Sequence, residues 1–257
     1  MQSSTKLFSL LFFLFVAAIN SLHGQNYKVS LPEKLNYGVN RYEVLGINSY
    51  GVIVLNAGKT EHTVTLYAAD MKLKWKKPIA LKELGIVNVG KIYLVEDSFI
   101  VFYTVQFHGT TVLKVAKVNA QLNLIRVATI IDTLATSTLL PVPGMNYTAS
   151  FNKKRFLIYY DDLNNSDRRK LHSYGVDELL NLKWKNEFRS LDFVEPETVT
   201  AVIDDSFKCW FLIGENQVKN FHNDFPYNKF MLLSYNDSTK NFIQTRNNNL
   251  LVFKIKF

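Results

Sequence analysis

The chain has 257 residues, of which 47% are hydrophobic, 14% aromatic and 20% charged, and its formal net charge is +8. That composition excludes a disordered or collagen-like chain, because it carries ample apolar side chains to build a core. The single cysteine excludes a disulfide framework and a multi-cysteine zinc site.

The first predicted element is a secretory leader spanning residues 1–24. Lys6 is the only charge ahead of a mostly apolar run, Leu7 to Ile19, and a short polar stretch then leads to Gly24 and Gln25. A basic start, a short apolar centre and a small residue at the cut are the three parts of a signal peptide. As a helix the apolar run would reach roughly 20 Å, short of the ~30 Å hydrocarbon core. Cleavage is expected after Gly24, with Ala18 as the alternative, so that Gln25 becomes the N-terminus and is free to cyclise. No cysteine lies near the cut, which excludes lipid attachment there. The remaining 25–257 is expected to form a single domain.

The basic residues are scattered rather than striped, apart from short clusters such as Lys153 to Arg155 and Arg168 to Lys170. No helix-turn-helix, zinc-finger or RNP-type pattern accompanies them, so no nucleic-acid partner is expected. Weak attraction to acidic polymers or anionic lipid heads is the more natural use of the charge, and allows peripheral association with a cell envelope.

From Tyr42 onward the chain reads as four degenerate copies of one strand–turn unit. Val52 to Leu55, Phe99 to Phe102, Phe156 to Tyr159 and Trp210 to Ile213 are apolar at every position. A half-buried strand alternates, whereas one buried on both faces does not. Each such strand leads through a turn to a more mixed strand, then to an Asp/Asn-type turn and a third strand. Aligning Tyr67, Val118, Tyr174 and Tyr235 spaces the copies by 51, 56 and 61 residues. Asn56 to Gly58 and His108-Gly109 are read as turns between inner strands. At the later turns Asp70, Asn119, Asp177 and Asn236 or Asp237 bond their own backbone and tolerate a left-handed conformation. Trp75 and Trp184 follow those turns at matching places and are expected to pack between neighbouring units rather than to stack on a sugar. Helical periodicity is limited to a short turn over Lys77 to Leu84, and over Val176 to Leu182 a hairpin fits the register better.

Doubly buried strands followed by progressively wetter ones fit the blades of a propeller. The pattern resembles exported bacterial β-propeller proteins with degenerate repeats. The resemblance rests on hairpin registers, covers Tyr42 to the C-terminus, and implies an all-β array of about four to five blades. Propellers of that kind usually carry six or more. The chain therefore closes as a small propeller, forms an open arc, or is part of a longer parent. An open arc leaves sheet edges uncovered and favours self-association.

Candidate chemistry is sparse. Asp161, Asp162 and Asp167 cluster hard oxygen donors, but the sharp-turn glycine and later bidentate acid of a calcium loop are missing, and a solvated loop is the plainer reading. His62, His108, His172 and His222 lack zinc spacing. Cys209 sits in an apolar run and reads as a small buried hydrophobe. No nucleophile elbow, Walker pattern or dinucleotide fingerprint occurs, and no catalytic residue or cofactor is assigned. Leu251, Phe253, Ile255 and Phe257 alternate as the last strand of an outer-membrane barrel would. The residues singled out for binding are Phe221, His222, Phe225 and Tyr227, an aromatic loop between strands suited to a protein or glycan partner.

The expected function is that of an exported, non-enzymatic binding or scaffold protein, located in the periplasm, on the outer membrane or outside the cell. The alternatives are an outer-membrane barrel or envelope structural protein, and a hydrolase whose carboxylates come together only in space.

Overall fold

The computed structural model describes residues 39–58, 62–81, 83–135, 144–162, 170–189, 196–216, 227–236 and 241–247. Among them lie sixteen strands and no helix. The first sheet is β1 (Val39–Asn48), β2 (Gly51–Gly58), β3 (His62–Tyr67) and β4 (Leu73–Pro78). The second is β5 (Ile86–Val95), β6 (Ser98–Phe107), β7 (Thr110–Asn119) and β8 (Leu124–Ala135). The third is β9 (Asn146–Ala149), β10 (Arg155–Asp162), β11 (Lys170–Asp177) and β12 (Leu182–Arg189). The fourth is β13 (Pro196–Ile203), β14 (Lys208–Asn216), β15 (Tyr227–Asn236) and β16 (Asn241–Asn247). Each sheet is an antiparallel meander in chain order.

The sheets stack face to face, and one apolar core fills each gap. Leu45, Ile53, Leu55, Val64 and Leu66 of the first sheet meet Phe99, Val101, Tyr103 and Val105 of the second. Ile100, Phe102 and Val115 of the second meet Phe156, Ile158 and Val176 of the third. Leu157, Tyr159 and Trp184 of the third meet Cys209, Phe211, Met231 and Leu233 of the fourth. Alternate side chains of β6 and β10 therefore feed two different cores, which is why those strands show no alternation in sequence. The first strands of successive sheets also touch, β1 to β5, β5 to β9 and β9 to β13, and among the described residues no comparable contact joins the fourth sheet to the first. Four sheets thus share three cores in an open array.

Several expectations change. The unit has four strands, not three: the strands of mixed polarity β1, β5, β9 and β13 precede the apolar ones, which are buried on both faces in β6 and β10 but on one face only in β2 and β14, at the ends of the stack. Pairing fixes the true equivalence of the copies. Val52, Phe99, Phe156 and Cys209 face Tyr67, Val118, Val176 and Tyr235. The third copy is therefore anchored by Val176 rather than Tyr174, and the apolar strand of the fourth by Cys209 rather than Trp210. The latter one-residue slip exchanges the two faces of β14. Asn56 to Gly58 close β2 rather than forming a turn, while His108 and Gly109, with φ of 47° and 76°, do make the two-residue hairpin turn. Lys77 and Pro78 pair with Val64 and Thr63 in β4, and no helix forms there.

The Asp/Asn turns work by a different division of labour. Asn119 Oδ1 accepts from the amides of Gln121 and Asn123, Asp177 Oδ1 from Leu179 and Asn181, and Asp204 Oδ1 from Ser206 and Lys208. The left-handed residue is not the Asx but the apolar one three positions on: Leu122, Leu180 and Phe207, with φ of 66°, 62° and 64°. All three side chains are buried. Burial of the side chain offsets the steric cost of a left-handed backbone that glycine would otherwise relieve.

Candidate functional site

The meander sends every first-to-second and third-to-fourth turn to one rim. The described turns there are short and several are pinned by Asx bonds, as at Asn48, whose Oδ1 accepts from Tyr50, and at Asn152, whose Oδ1 accepts from Lys154. The opposite rim receives the second-to-third connections and the links between sheets. Its longest connections run over 136–145, between β8 and β9, and 217–226, between β14 and β15.

Of the residues singled out for binding, Phe221, His222 and Phe225 belong to the 217–226 connection and lie outside the described residues. Tyr227 opens β15 at that same rim. The leader 1–24, Asp167, Asp237 and the Leu251 to Phe257 segment also lie outside the described residues.

A polar cluster lies between the second and third sheets, centred near the middle of β11 and β12. Tyr174 donates to Asp132 Oδ2 at 2.6 Å, and Lys185 Nζ donates to Asp132 Oδ1 at 2.6 Å. Asp132 reaches from β8 while Tyr174 and Lys185 come from the third sheet, so the contact bridges the gap. Burial pulls the Asp132 carboxyl upward, but the Lys185 ammonium, the Tyr174 hydroxyl and the Thr133 amide outweigh it and hold it below the usual carboxylate range. Burial, the Asp132 acceptor and Tyr160 push the Tyr174 hydroxyl well above its ordinary value, so it stays protonated. Tyr160 lies 3.4 Å from Tyr174, oxygen to oxygen. His172 stacks flat on Tyr160, with centroids 4.7 Å apart and planes 11° apart, and sits 3.9 Å from Asp162. Burial lowers the His172 pKa despite the neighbouring Glu187 and Asp162, which favours the neutral ring. Asp132 accepts from three donors, Tyr174, Lys185 and the neighbouring Thr133 amide, and the first two clamp the sheets together.

Asp161 is likewise engaged across a gap. Its carboxylate accepts from the Thr198 amide and hydroxyl, both at 2.8 Å, tying β10 to β13. Among the described residues no three His, Cys, Asp or Glu side chains gather in metal-binding geometry. Near the axis, at the tight-turn rim, a shallow cavity of about 450 Å³ is lined in part by Asn48, Glu96, Asp97, Lys153 and Lys154. Its lining holds two acids and two lysines and no histidine. Cys209 is fully buried, and that burial pushes its thiol up to about 12, far from a nucleophile's range.

Trp184 packs between the third and fourth sheets, its ring 4.8 Å from that of Tyr235, and Trp75 packs against the core between the first and second. Sequence reasoning missed the Asp132–Tyr174–Lys185 clamp because its members sit 42 and 53 positions apart. No local pattern marks them.

No family model and no curated protein matches the chain. Among solved structures it is similar to the WD40 domain of SCAP from fission yeast, with 12% identity and a TM-score of 0.49 over 86% of this chain and 55% of that one. It is similar to an apocarotenoid oxygenase of Synechocystis, with 6% identity and a TM-score of 0.44 over 78% of this chain and 47% of that one. It is also similar to an alpha-L-arabinofuranosidase from Clostridium thermocellum, with 9% identity and a TM-score of 0.40 over 79% of this chain and 72% of that one. The chain spans about half the length of the first two. On its own strand order and packing, the protein is an all-β, β-propeller-like array of four sheets, open between the fourth and the first.

Proposed function

We propose that this protein is an exported, non-enzymatic binding or scaffold module that presents its long-connection rim to a protein or glycan partner. One observation carries the reading: the two rims are built differently. The first is made of short turns, several of them locked by Asx bonds and three by a buried left-handed residue, and the second receives the long connections, including the one that holds Phe221, His222 and Phe225. A rigid stack that sends its variable connections to one side is the arrangement in which loops recognise a ligand without disturbing the core. The described acids favour this reading over hydrolysis, since most are bound in ion pairs or inter-sheet bridges, as in Glu43–Lys91, Glu83–Lys114 and Asp132–Lys185. Four separate sheets packed face to face also differ from the single closed sheet of a barrel.

Capture of cross-linked partners from envelope and extracellular fractions, read by mass spectrometry, tests the site. Recovery is expected to fall at least tenfold for the F225A/Y227A double variant, with an unchanged circular dichroism spectrum. Equal recovery by both proteins refutes the assignment. N-terminal mass spectrometry of the native protein tests export: a pyroglutamyl or free Gln25 is expected, and an intact Met1 overturns it.

A further inference from the structure

The stack has a direction. In every gap the forward face of one sheet meets the backward face of the next. The second strands show the rule position by position. Forward positions hold Ile53 and Leu55 in the first sheet, Ile100 and Phe102 in the second, and Leu157 and Tyr159 in the third, all buried. In the fourth sheet the same positions are Trp210 and Leu212, both only half-buried. Beside them are Val202, paired with Trp210, and Leu232, paired with Leu212, which are 54% and 43% exposed. Backward positions hold Phe99 and Val101, Phe156 and Ile158, and Cys209 and Phe211, again all buried. Their counterparts in the first sheet are Val52 and Val54, half-buried. Val44, paired with Val54, is 65% exposed, although its counterparts Ile92 and Ala201 on β5 and β13 are buried.

Both ends of the array therefore present apolar side chains at second-strand positions that are covered in every internal gap. Exposed apolar patches of this kind mark association surfaces. We infer that two copies of the chain associate head to tail, the fourth sheet of each stacking on the first sheet of the other. Among the described residues a forward face is covered only by a backward face, and a second copy carries an uncovered one. The contact is heterologous, and such contacts close into rings when the rotation permits. Two copies give a ring of eight sheets, at the upper end of the roughly four to eight blades that propellers close with. This inference concerns the ends of the stack and does not rest on the ligand rim.

Sedimentation equilibrium and light scattering on the purified chain at tens of micromolar test it. The wild type is expected to be a dimer with no larger species. V44K and L232K alter exposed positions at opposite ends, and each is expected to be monomeric with an unchanged dichroism spectrum. Mixed in equal amounts, the two variants are expected to recover a one-to-one dimer, because one interface is then intact on both sides. A monomeric wild type overturns the inference. So does a ladder of higher oligomers, or a like-face dimer, in which one single variant stays dimeric and mixing restores nothing.

Discussion

Gly175→Ala isolates the fit of one indole into the stack. Gly175 is buried in β11, paired with Trp184 on β12, and its missing side chain leaves the space in which the ring lies. A Cβ there would fall 2.4 Å from both Cε2 and Nε1 of Trp184, against an ordinary contact of 3.4 Å or more, so the ring has to retreat by about 1 Å. It has little room, being 6% exposed and held against Tyr235. Overpacking of this kind costs about 1–3 kcal/mol. Loss of the aromatic contact adds about 0.5–1.5 kcal/mol. The backbone works the other way, since alanine in a strand interior is better than glycine by roughly 0.5–1 kcal/mol. The net is a loss of about 1–3 kcal/mol, or roughly 3–10 °C in Tm for a chain of this size. Thermal and urea unfolding measure it directly. In a Trp184→Leu background the same alanine should become neutral or mildly stabilising, and the difference between the two backgrounds is the coupling. A G175A protein as stable as the wild type, with no dependence on Trp184, refutes the packing argument.

The left-handed turn residues predict opposite responses to glycine. Leu180→Gly relieves backbone strain of about 1–2 kcal/mol but empties a site buried to 1% exposure, where removing a leucine costs about 2–5 kcal/mol, so Tm falls. Met71→Gly, at φ 64° with a half-buried side chain, should hold or raise Tm. Asp132→Ala strips the Tyr174 hydroxyl and the Lys185 ammonium of their shared acceptor, and should cost about 1–3 kcal/mol in urea unfolding. Because the Asp132 carboxyl is held below its ordinary value, its stabilisation is complete above the usual carboxylate pKa and is lost as pH falls through the lowered one. D132A should therefore flatten the acid limb of a stability–pH profile. Cys209 should resist a thiol reagent at neutral pH in the native protein and react fully once urea unfolds it; fast native labelling would contradict its burial.

The second strands were legible because burial on both faces leaves a continuous apolar run, as in Phe99 to Tyr103. Their partners on the axis were not. β9 is four residues long, and β1 mixes Arg41, Glu43 and Asn48 with apolar positions, so neither shows a clean period. In the third copy Tyr174 and Val176 share one face two residues apart, so tyrosine draws the alignment to the wrong one; in the fourth the apolar run continues from Cys209 into Trp210, and side-chain type does not reveal which face either takes. The Asx turns were recognisable from Asn119 and Asp177, but an apolar residue in the left-handed position breaks the usual association of that backbone with glycine, and only packing explains it. Phe221, His222, Phe225 and Tyr227 stand out in the sequence by aromatic content alone, and of the four only Tyr227 is among the described residues, where it opens β15. The clamp at Asp132 depends on two sheets meeting, which sequence spacing does not encode.

Three cores shared by four sheets make cohesion unequal along the stack. The second and third sheets are each gripped from two sides, whereas the outer two lean on a single neighbour. In such a chain of dominoes, opening begins at an end and travels inward, and a local weakness is felt mainly by the adjoining member. Capping either end would steady the whole row more than reinforcing its middle.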